Sequence, residues 1–295
     1  MPALLLSLAF VAYLTLVGGG LLAACRWRGG ILRTWLLAPA VGLAVVILGL
    51  MLLNQAGLPV RAFAWPLTLG LGLAAAGVLR WRRAVLPRRA LAPFAAVAVA
   101  SLLWTGWPQL RFGFNWLSYV NDDFVNYCLA ADRFRDFGFW RAPQLAELAG
   151  TDIAQYYWFM HVPGLMRFGS EITLAWVSAL TGLKALGIFM PVILGLGLVQ
   201  LAAAGALVLH HGRWRRRAWL TMALLAVSPL FMLGSLYQLI AQVGGLALML
   251  AATVVLTQRL PVRRAGAIPA IVILSVVGAA LCVTLRWRTS RRGSG

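Results

Sequence analysis

The chain has 295 residues, of which 62% are hydrophobic and only 11% are charged, and its mean hydropathy is +0.85. This composition excludes a soluble globular domain and indicates a membrane protein with several spans. The net charge of +19 does not indicate a nucleic-acid partner, because the arginines form short clusters between apolar segments and no nucleic-acid-binding motif accompanies them.

Eight apolar segments predict transmembrane helices, because a helix of about 17 to 25 mostly apolar residues crosses the hydrocarbon core of a bilayer. We therefore expect an all-α polytopic integral membrane protein with about eight transmembrane helices. The segments cover residues 3–24, 34–53, 62–79, 91–110, 186–209, 218–236, 239–257 and 266–285. The chain would consist of N-terminal spans (1–110), a long loop (111–185), C-terminal spans (186–285) and a basic tail (286–295).

Arginine clusters follow alternate spans, and this pattern predicts the orientation of the chain. Cytoplasmic connections carry the excess of basic residues, so these clusters would be cytoplasmic and segment 111–185 extracytoplasmic. The clusters are Arg26, Arg28 and Arg33; Arg80, Arg82, Arg83, Arg88 and Arg89; Arg213, Arg215, Arg216 and Arg217; and Arg259, Arg263 and Arg264. We expect the protein in the inner (cytoplasmic) membrane of a bacterium. Tryptophans near the span ends, including Trp104 and Trp107, are interpreted as interfacial anchors rather than ligand contacts.

The tail after the last predicted span does not fit this orientation. Arg286, Arg288, Arg291 and Arg292 would lie outside the cell, although basic residues resist translocation. Either the last span does not cross the membrane, or the sequence ends abnormally, as it would after truncation or a shift of reading frame.

All the carboxylates of the chain fall within the central loop. They are Asp122, Asp123, Asp132, Asp136, Glu147, Asp152 and Glu171. Because an ionised group costs roughly 3 kcal/mol or more inside hydrocarbon, we expect this loop to be the aqueous working surface of the protein.

Two amphipathic helices are predicted within the loop, both lying on the membrane surface. The first begins at Asp122 and stops before Gly138. Its apolar face consists of Phe124, Tyr127, Cys128, Ala131 and Phe134. The second runs from Ser170 to Gly182, with Ser170 as its N-cap.

Asp122 and Asp123 are the main candidates for chemistry. Asn121 is suited to N-cap the first helix, which would place both carboxylates in its first turn, where the helix dipole stabilises negative charge. There a carboxylate can accept a proton from a hydroxyl group or bind a divalent cation together with its neighbour. The alternative is that the pair only caps the helix.

The sequence around this pair contains a further pattern. Asp122-Asp123 lies soon after the fourth span, an amphipathic helix comes next, and the element Phe137-Gly138-Phe139 ends it. In this order, residues 118–139 resemble the first extracytoplasmic loop of GT-C superfamily glycosyltransferases, which take sugars from polyprenyl-phosphate or polyprenyl-pyrophosphate carriers. Residues 169–191, where a helix leads into the next span, are also similar to that family. The chain departs from the family pattern because the loop follows the fourth span rather than the first. Family members also continue for several more spans and often carry a soluble C-terminal domain.

The resemblance implies roles for individual residues. The catalytic aspartate of the family would correspond to Asp122 or Asp123, acting as general base on an acceptor hydroxyl while the lipid phosphate leaves. A leaving phosphate needs cationic stabilisation. The candidate phosphate-binding residues are Arg133, Arg135, Arg141 and Arg167. The alternative is that these arginines pair with Asp132, Asp136 or Glu147 on a solvated face.

The cofactor is not determined by the sequence. A divalent metal ion is one candidate, with Asp122, Asp123 and His161 as weak candidate ligands. For His161 the alternatives are contact with a sugar and an interfacial position among neighbouring aromatic residues. The expected partners are membrane lipids and a polyprenyl-phosphate sugar donor, and no nucleic acid.

The expected function is therefore glycosyl transfer from a polyprenyl-phosphate-linked donor to a cell-envelope acceptor at the extracytoplasmic face. Two alternatives remain open: a non-enzymatic membrane protein, such as a transporter or assembly subunit, and an inactive truncated remnant of a glycosyltransferase. A transporter would be expected to carry ionisable residues or broken helices within its spans.

Overall fold

The computed structural model describes residues 1–27, 29–119, 122–149, 153–155, 157–158, 168–209, 215–257 and 264–285. Every regular element in these ranges is a helix. Before the central loop they are α1 (Pro2–Ala24), α2 (Ile31–Gln55), α3 (Val60–Trp81), α4 (Arg88–Gly106) and the short α5 (Pro108–Phe112). The loop contains α6 (Asp122–Asp136), α7 (Leu145–Leu148) and α8 (Gly169–Thr181). After it come α9 (Ala185–Val208), α10 (Arg215–Ala226), α11 (Pro229–Leu236), α12 (Ile240–Leu256) and α13 (Arg264–Leu285).

The membrane character of the chain is confirmed. Within the described ranges, five helices, α1 to α4 and α9, are long and apolar enough to cross a membrane. Helices α10 and α11 would form a sixth span if taken together, but they meet at an angle of 53°. The bend falls where the sequence predicts a continuous span, and Pro229 explains it, since a proline disfavours helical backbone in the residue before it. Helix α12 and the apolar segment Ile271–Cys282 of α13 are shorter than these spans.

Helix α2 lies at the centre of the bundle and packs against α1, α9, α12 and α13. Its residues 36–44 are all buried, as expected for a helix that is apolar on every side. The contact with α1 is close because two glycines face backbone. A Cβ atom on Gly18 would lie 1.9 Å from the carbonyl oxygen of Ala38, and one on Gly42 would lie 1.9 Å from that of Leu14. Small residues thus bring the first two helices into backbone contact.

Arg33 marks one end of the bundle. Its side chain is only 4% exposed; Nε donates to the carbonyl oxygen of Ala206 in α9 (3.1 Å) and Nη2 to that of Val254 in α12 (3.0 Å). Both carbonyls lie in the last turn of their helices, where carbonyl oxygens lack a backbone N–H partner within the helix. The carboxyl ends of α9 and α12 therefore meet the amino end of α2.

Asn54 marks the opposite end of α2, about 30 Å away at 1.5 Å per residue. The side-chain amide of Asn54 donates to the carbonyl oxygens of Leu58 (2.9 Å) and Phe137 (3.0 Å). The backbone carbonyl oxygen of Asn54 accepts from the backbone N–H of Phe139 (3.0 Å). The end of α6 is thus fixed to the end of α2 that lies away from Arg33.

The predicted apolar face of α6 is confirmed. Phe124, Tyr127, Cys128, Ala131 and Phe134 are all buried, and they face α8 and the amino-terminal half of α9. The helix ends at Asp136, two residues before Gly138. A Cβ atom at Gly138 would lie 2.4 Å from the carbonyl oxygen of Gly57, so only glycine fits this contact.

The prediction that α8 lies on the membrane surface is wrong. Residues Gly169 to Ser178 are all buried, and α8 packs against α2, α3, α6, α9 and α13. Burial is tolerated because its polar groups are paired: Trp176 Nε1 donates to Thr68 Oγ1 (2.8 Å) and Thr173 Oγ1 to the carbonyl oxygen of Gly169 (2.6 Å). Ser170 is not the N-cap either, since it lies inside the first turn and donates to Glu171.

Candidate functional site

The acidic pair opens α6. Asp122 is the first residue of the helix and Asp123 the second, as the sequence predicts. The side chain of Asp123 is exposed. Asn121, the predicted cap, and the side chain of Asp122 lie outside the described part of the chain.

Aromatic contacts fix the orientation of this turn. Phe124, the residue after Asp123, is buried and meets the ring of Phe189 in α9 edge-on, with ring centroids 4.9 Å apart. Tyr127, one turn later, lies 6.3 Å from the same ring. Because Phe124 points into the bundle, the side chain of its neighbour Asp123 lies at the surface of this end of the bundle.

A groove of about 430 Å³ lies between the end of α4, the segment after α5 and α11. Its walls include Trp104, Trp107, Trp116 and Tyr119, and the ring of Tyr119 lies 6.1 Å from that of Tyr237. Three residues of chain span at most roughly 11 Å, so Asp122 lies within that distance of Tyr119. An aromatic, mostly apolar groove therefore opens close to the acidic pair.

Sequence reasoning missed this groove. It treated Trp104 and Trp107 as interfacial anchors, and both are indeed largely exposed, at 65% and 59%. The signal that could have identified the groove is the density of aromatic residues between Trp104 and Tyr119, immediately before the acidic pair. Aromatic walls with a few polar groups are typical of sites for apolar ligands.

Two of the predicted phosphate-binding arginines pair with carboxylates. Arg135 lies 3.4 Å from Asp132 and 2.8 Å from Asp136, and Arg141 lies 2.6 Å from Glu147. This is the alternative that the sequence left open. Such partly exposed pairs contribute about 0–1 kcal/mol, so exchange of a carboxylate for a substrate phosphate would cost little.

Arg133 has a different environment. Only 1% of it is exposed, and its guanidinium donates to the side-chain oxygen of Gln155 and to the carbonyl oxygen of Arg141. It also lies over the ring of Phe137, 5.1 Å from the centroid. These contacts connect α6 to the loop that follows it. The geometry places Arg133 inside the loop and away from the rim where Asp123 lies.

Arg167 and His161 fall outside the described residues, as does Asp152. Within the residues that the structure does describe, no three side chains of His, Cys, Asp or Glu converge in a way that could hold a metal ion. The divalent metal with Asp122, Asp123 and His161 as ligands stays a prediction.

Glu171 is a carboxylate that the candidate site did not include. It is 3% exposed in the first turn of α8 and accepts a hydrogen bond from Ser170 Oγ (2.6 Å). Position in the sequence separates it from the acidic pair by nearly fifty residues, so spacing alone gave no reason to single it out.

A comparison of the chain with family models, curated proteins and solved structures finds no match. The resemblance read from residues 118–139 and the geometry around α6 therefore carry the functional argument.

Proposed function

We propose that the protein is a GT-C-type membrane glycosyltransferase that transfers a sugar from a polyprenyl-phosphate-linked donor to a cell-envelope acceptor at the extracytoplasmic face. The observation that carries this proposal is the position of the acidic pair at the start of α6, within about 11 Å of an aromatic groove at the end of the bundle away from Arg33. On this proposal all eight apolar segments cross the membrane, with the arginine clusters in the cytoplasm.

The proposed reaction uses one carboxylate of the pair as general base. Asp122 or Asp123 accepts the proton of the acceptor hydroxyl, while the oxygen of that hydroxyl attacks the anomeric carbon of the donor sugar. The bond between that carbon and the phosphate oxygen breaks, and the lipid phosphate leaves with the bonding electrons. Arg141 is the most exposed of the described candidate arginines, but its guanidinium lies 4.4 Å from the ring centroid of Phe137, about 20 Å along α6 from Asp122. The described candidate arginines therefore do not offset the phosphate charge beside the acidic pair.

The groove supports a lipid-linked donor in particular. Its tryptophan and tyrosine walls can contact the first isoprene units of the carrier, which would hold the phosphate near the membrane surface beside α6.

Replacement of each aspartate by asparagine tests the catalytic assignment. The general base contributes about 10²-fold to 10⁴-fold, so one of Asp122→Asn and Asp123→Asn should lose transfer from a polyprenyl-phosphate donor by that factor in isolated membranes. The other should lose little, because asparagine also caps a helix. Asp132→Asn is the matched control on the same helix and should be mild, since its pair with Arg135 is partly exposed. Undiminished transfer by the double variant Asp122→Asn with Asp123→Asn would leave helix capping as the role of the pair.

A second experiment tests the groove. Trp104→Ala should raise the KM for a polyprenyl-phosphate-linked donor and leave the KM for a sugar phosphate donor without isoprene units unchanged. Trp140→Ala removes an equally exposed tryptophan, 55% exposed, that does not line the groove, and should alter neither constant.

The 53° bend between α10 and α11 is a break of the kind that a transporter would be expected to carry, but the buried polar side chains do not favour transport as a second function. Asn54 and Arg33 are the kind of intramembrane polar residues that a substrate pathway would use. Both bind backbone carbonyl oxygens at helix ends, and these contacts join helices together.

A further inference from the structure

A second groove lies at the opposite end of the bundle, between the ends of α1, α2 and α3. Its volume is about 420 Å³. Arg26 and Trp27 enter it from the turn after α1, Thr34 and Trp35 from the start of α2, and Arg82 from the end of α3. It shares no residue with the groove beside α6, and the proposed glycosyl transfer makes no use of it.

The charge of this groove is positive and uncompensated. Among the described residues that line it, two are arginines and none is acidic. All carboxylates of the chain lie between residues 122 and 171, in the loop that Asn54 fixes to the other end of α2. Nε of Arg82 is covered and has no hydrogen-bond partner among the described atoms, although its guanidinium lies over the ring of Trp81, 4.2 Å from the centroid.

The turns after α1 and α3 carry the same backbone strain. Helix α1 ends with Arg26 in the left-handed region (φ 52°), and α3 ends with Arg83 there (φ 48°). In both turns the next residue donates back five positions, Trp27 to Leu22 (3.0 Å) and Ala84 to Leu79 (2.9 Å). Glycine is the usual residue at this position of such a turn. At Arg26 the strained residue itself lines the groove, whereas Arg83 follows the lining residue Arg82. Backbone strain of this kind is often kept at functional sites.

The remaining walls hold the groove open. Trp35 Nε1 donates to the carbonyl oxygen of Val85 (3.1 Å), which ties the turn after α3 to α2. Gly30 and Ile31, where α2 begins, also line the groove. The unpaired backbone N–H groups at the start of α2 favour an anion, whereas the carboxyl ends of α1 and α3 at the same groove oppose it, so the arginines supply the attraction.

We propose that this groove binds the phosphate of an anionic membrane phospholipid. Arg26 and Arg82 donate hydrogen bonds to the phosphate oxygens, and the rings of Trp27 and Trp35 contact the glycerol and the first methylene groups. A lipid is the source that fits, because Trp81 beside the groove is 72% exposed at the end of an apolar helix, as in residues that lie among lipid headgroups.

The test uses the full-length protein purified in detergent. Phosphatidylglycerol and phosphatidylcholine are titrated separately, and bound lipid is counted by native mass spectrometry. The wild type should bind phosphatidylglycerol about tenfold more tightly than phosphatidylcholine. Arg26→Gln with Arg82→Gln should lower the phosphatidylglycerol affinity by about tenfold or more, because two charge-assisted hydrogen bonds are lost.

A matched control separates a site from general attraction to a basic surface. Arg88→Gln with Arg89→Gln removes the same charge from exposed positions that do not line the groove, and should retain the affinity of the wild type. The single variant Arg82→Gln should weaken binding several-fold. Equal losses in both double variants, or equal affinity of the wild type for the two lipids, would overturn the proposal. Displacement of phosphatidylglycerol by excess inorganic phosphate would also overturn it, since the site would then recognise a soluble phosphate.

Discussion

The side-chain amide of Asn54 donates to the carbonyl oxygen of Phe137, and the two residues are 83 positions apart in the chain. This bond, with the one from Phe139 N–H to the carbonyl oxygen of Asn54, joins the central helix α2 to the end of α6. The position of the acidic pair therefore depends on a residue that belongs to an apolar span.

Replacement of Asn54 tests this dependence. Asn54→Ala removes the hydrogen bonds to the partly buried carbonyl oxygens of Leu58 and Phe137, and each such bond contributes about 0.5–1.5 kcal/mol. We expect the thermal unfolding temperature in detergent to fall accordingly. Gln55→Ala, at the exposed neighbouring position, should leave it unchanged. Equal unfolding temperatures for the two variants would show that the bonds to the loop contribute no stability.

Arg33 should be essential for stability although it belongs to a predicted cytoplasmic cluster. Arg33→Met removes charge-assisted hydrogen bonds to Ala206 and Val254, each worth about 1.5–3 kcal/mol. Arg215→Met removes an exposed arginine from another cluster and should be nearly neutral. Thermal unfolding of the two variants in mild detergent, followed by tryptophan fluorescence, distinguishes their stabilities. An Arg33→Met protein as stable as the control would contradict the proposed capping of α9 and α12.

The contact of α1 with α2 should not tolerate a side chain. Gly42→Ala would bring a methyl group to 1.9 Å from the carbonyl oxygen of Leu14, which forces the helices apart and costs about 1–3 kcal/mol or more. At Gly70 a methyl group meets nothing within 4 Å, so Gly70→Ala should be neutral or slightly stabilising through helix propensity. Unfolding temperatures of the two variants test the difference, and the opposite order would refute the close packing.

Cys128 should be unreactive in the folded protein. Burial of its thiol raises the pKa to about 12, and the charge of Asp132 adds to the shift. At pH 9 an ordinary thiol is about half ionised, whereas Cys128 would be on the order of a thousandfold less ionised than that. With Cys25→Ala and Cys282→Ala, iodoacetamide at pH 9 should modify Cys128 only after denaturation. Leu145→Cys with Cys128→Ala, at a position 85% exposed, should react at once. Rapid labelling of native Cys128 would mean that the apolar face of α6 opens.

Labelling of intact cells with an impermeant maleimide tests on which side of the membrane each end of the helix bundle lies. In a background without the three native cysteines, Leu145→Cys should be labelled at once, because positive-inside topology puts the loop outside. Arg83→Cys, at an exposed position beside the second groove, should be labelled only after lysis. The reverse pattern would invert the orientation of the whole bundle.

The sequence allowed prediction of those elements whose residues carry a local signal. Helical spacing predicted the buried face of α6, and apolar length predicted α1 to α4 and α9. The burial of α8 was not predictable, because it depends on Thr68, 108 residues away, accepting the hydrogen bond of Trp176. An amphipathic pattern indicates one apolar face and gives no information on a partner for the polar one.

The candidate site divides in the same way. The place of Asp122 and Asp123 at the start of a helix was predictable, since caps and first turns are local. The environment of Arg133 was not, because Gln155 and the carbonyl oxygen of Arg141 reach it only once the loop has folded back. The aromatic groove brings Tyr119 beside Tyr237, a pairing that no local pattern encodes.

Gly169 at the start of α8 packs against Thr284 near the end of α13; a Cβ atom there would lie 2.1 Å from Thr284 Oγ1. The ribosome synthesises α8 before α13, so during synthesis the face of α8 that later contacts α13 is uncovered. Helix α13 then covers this face of α8. The packing around α8 is therefore completed only after the helices from α1 to α12 have been synthesised.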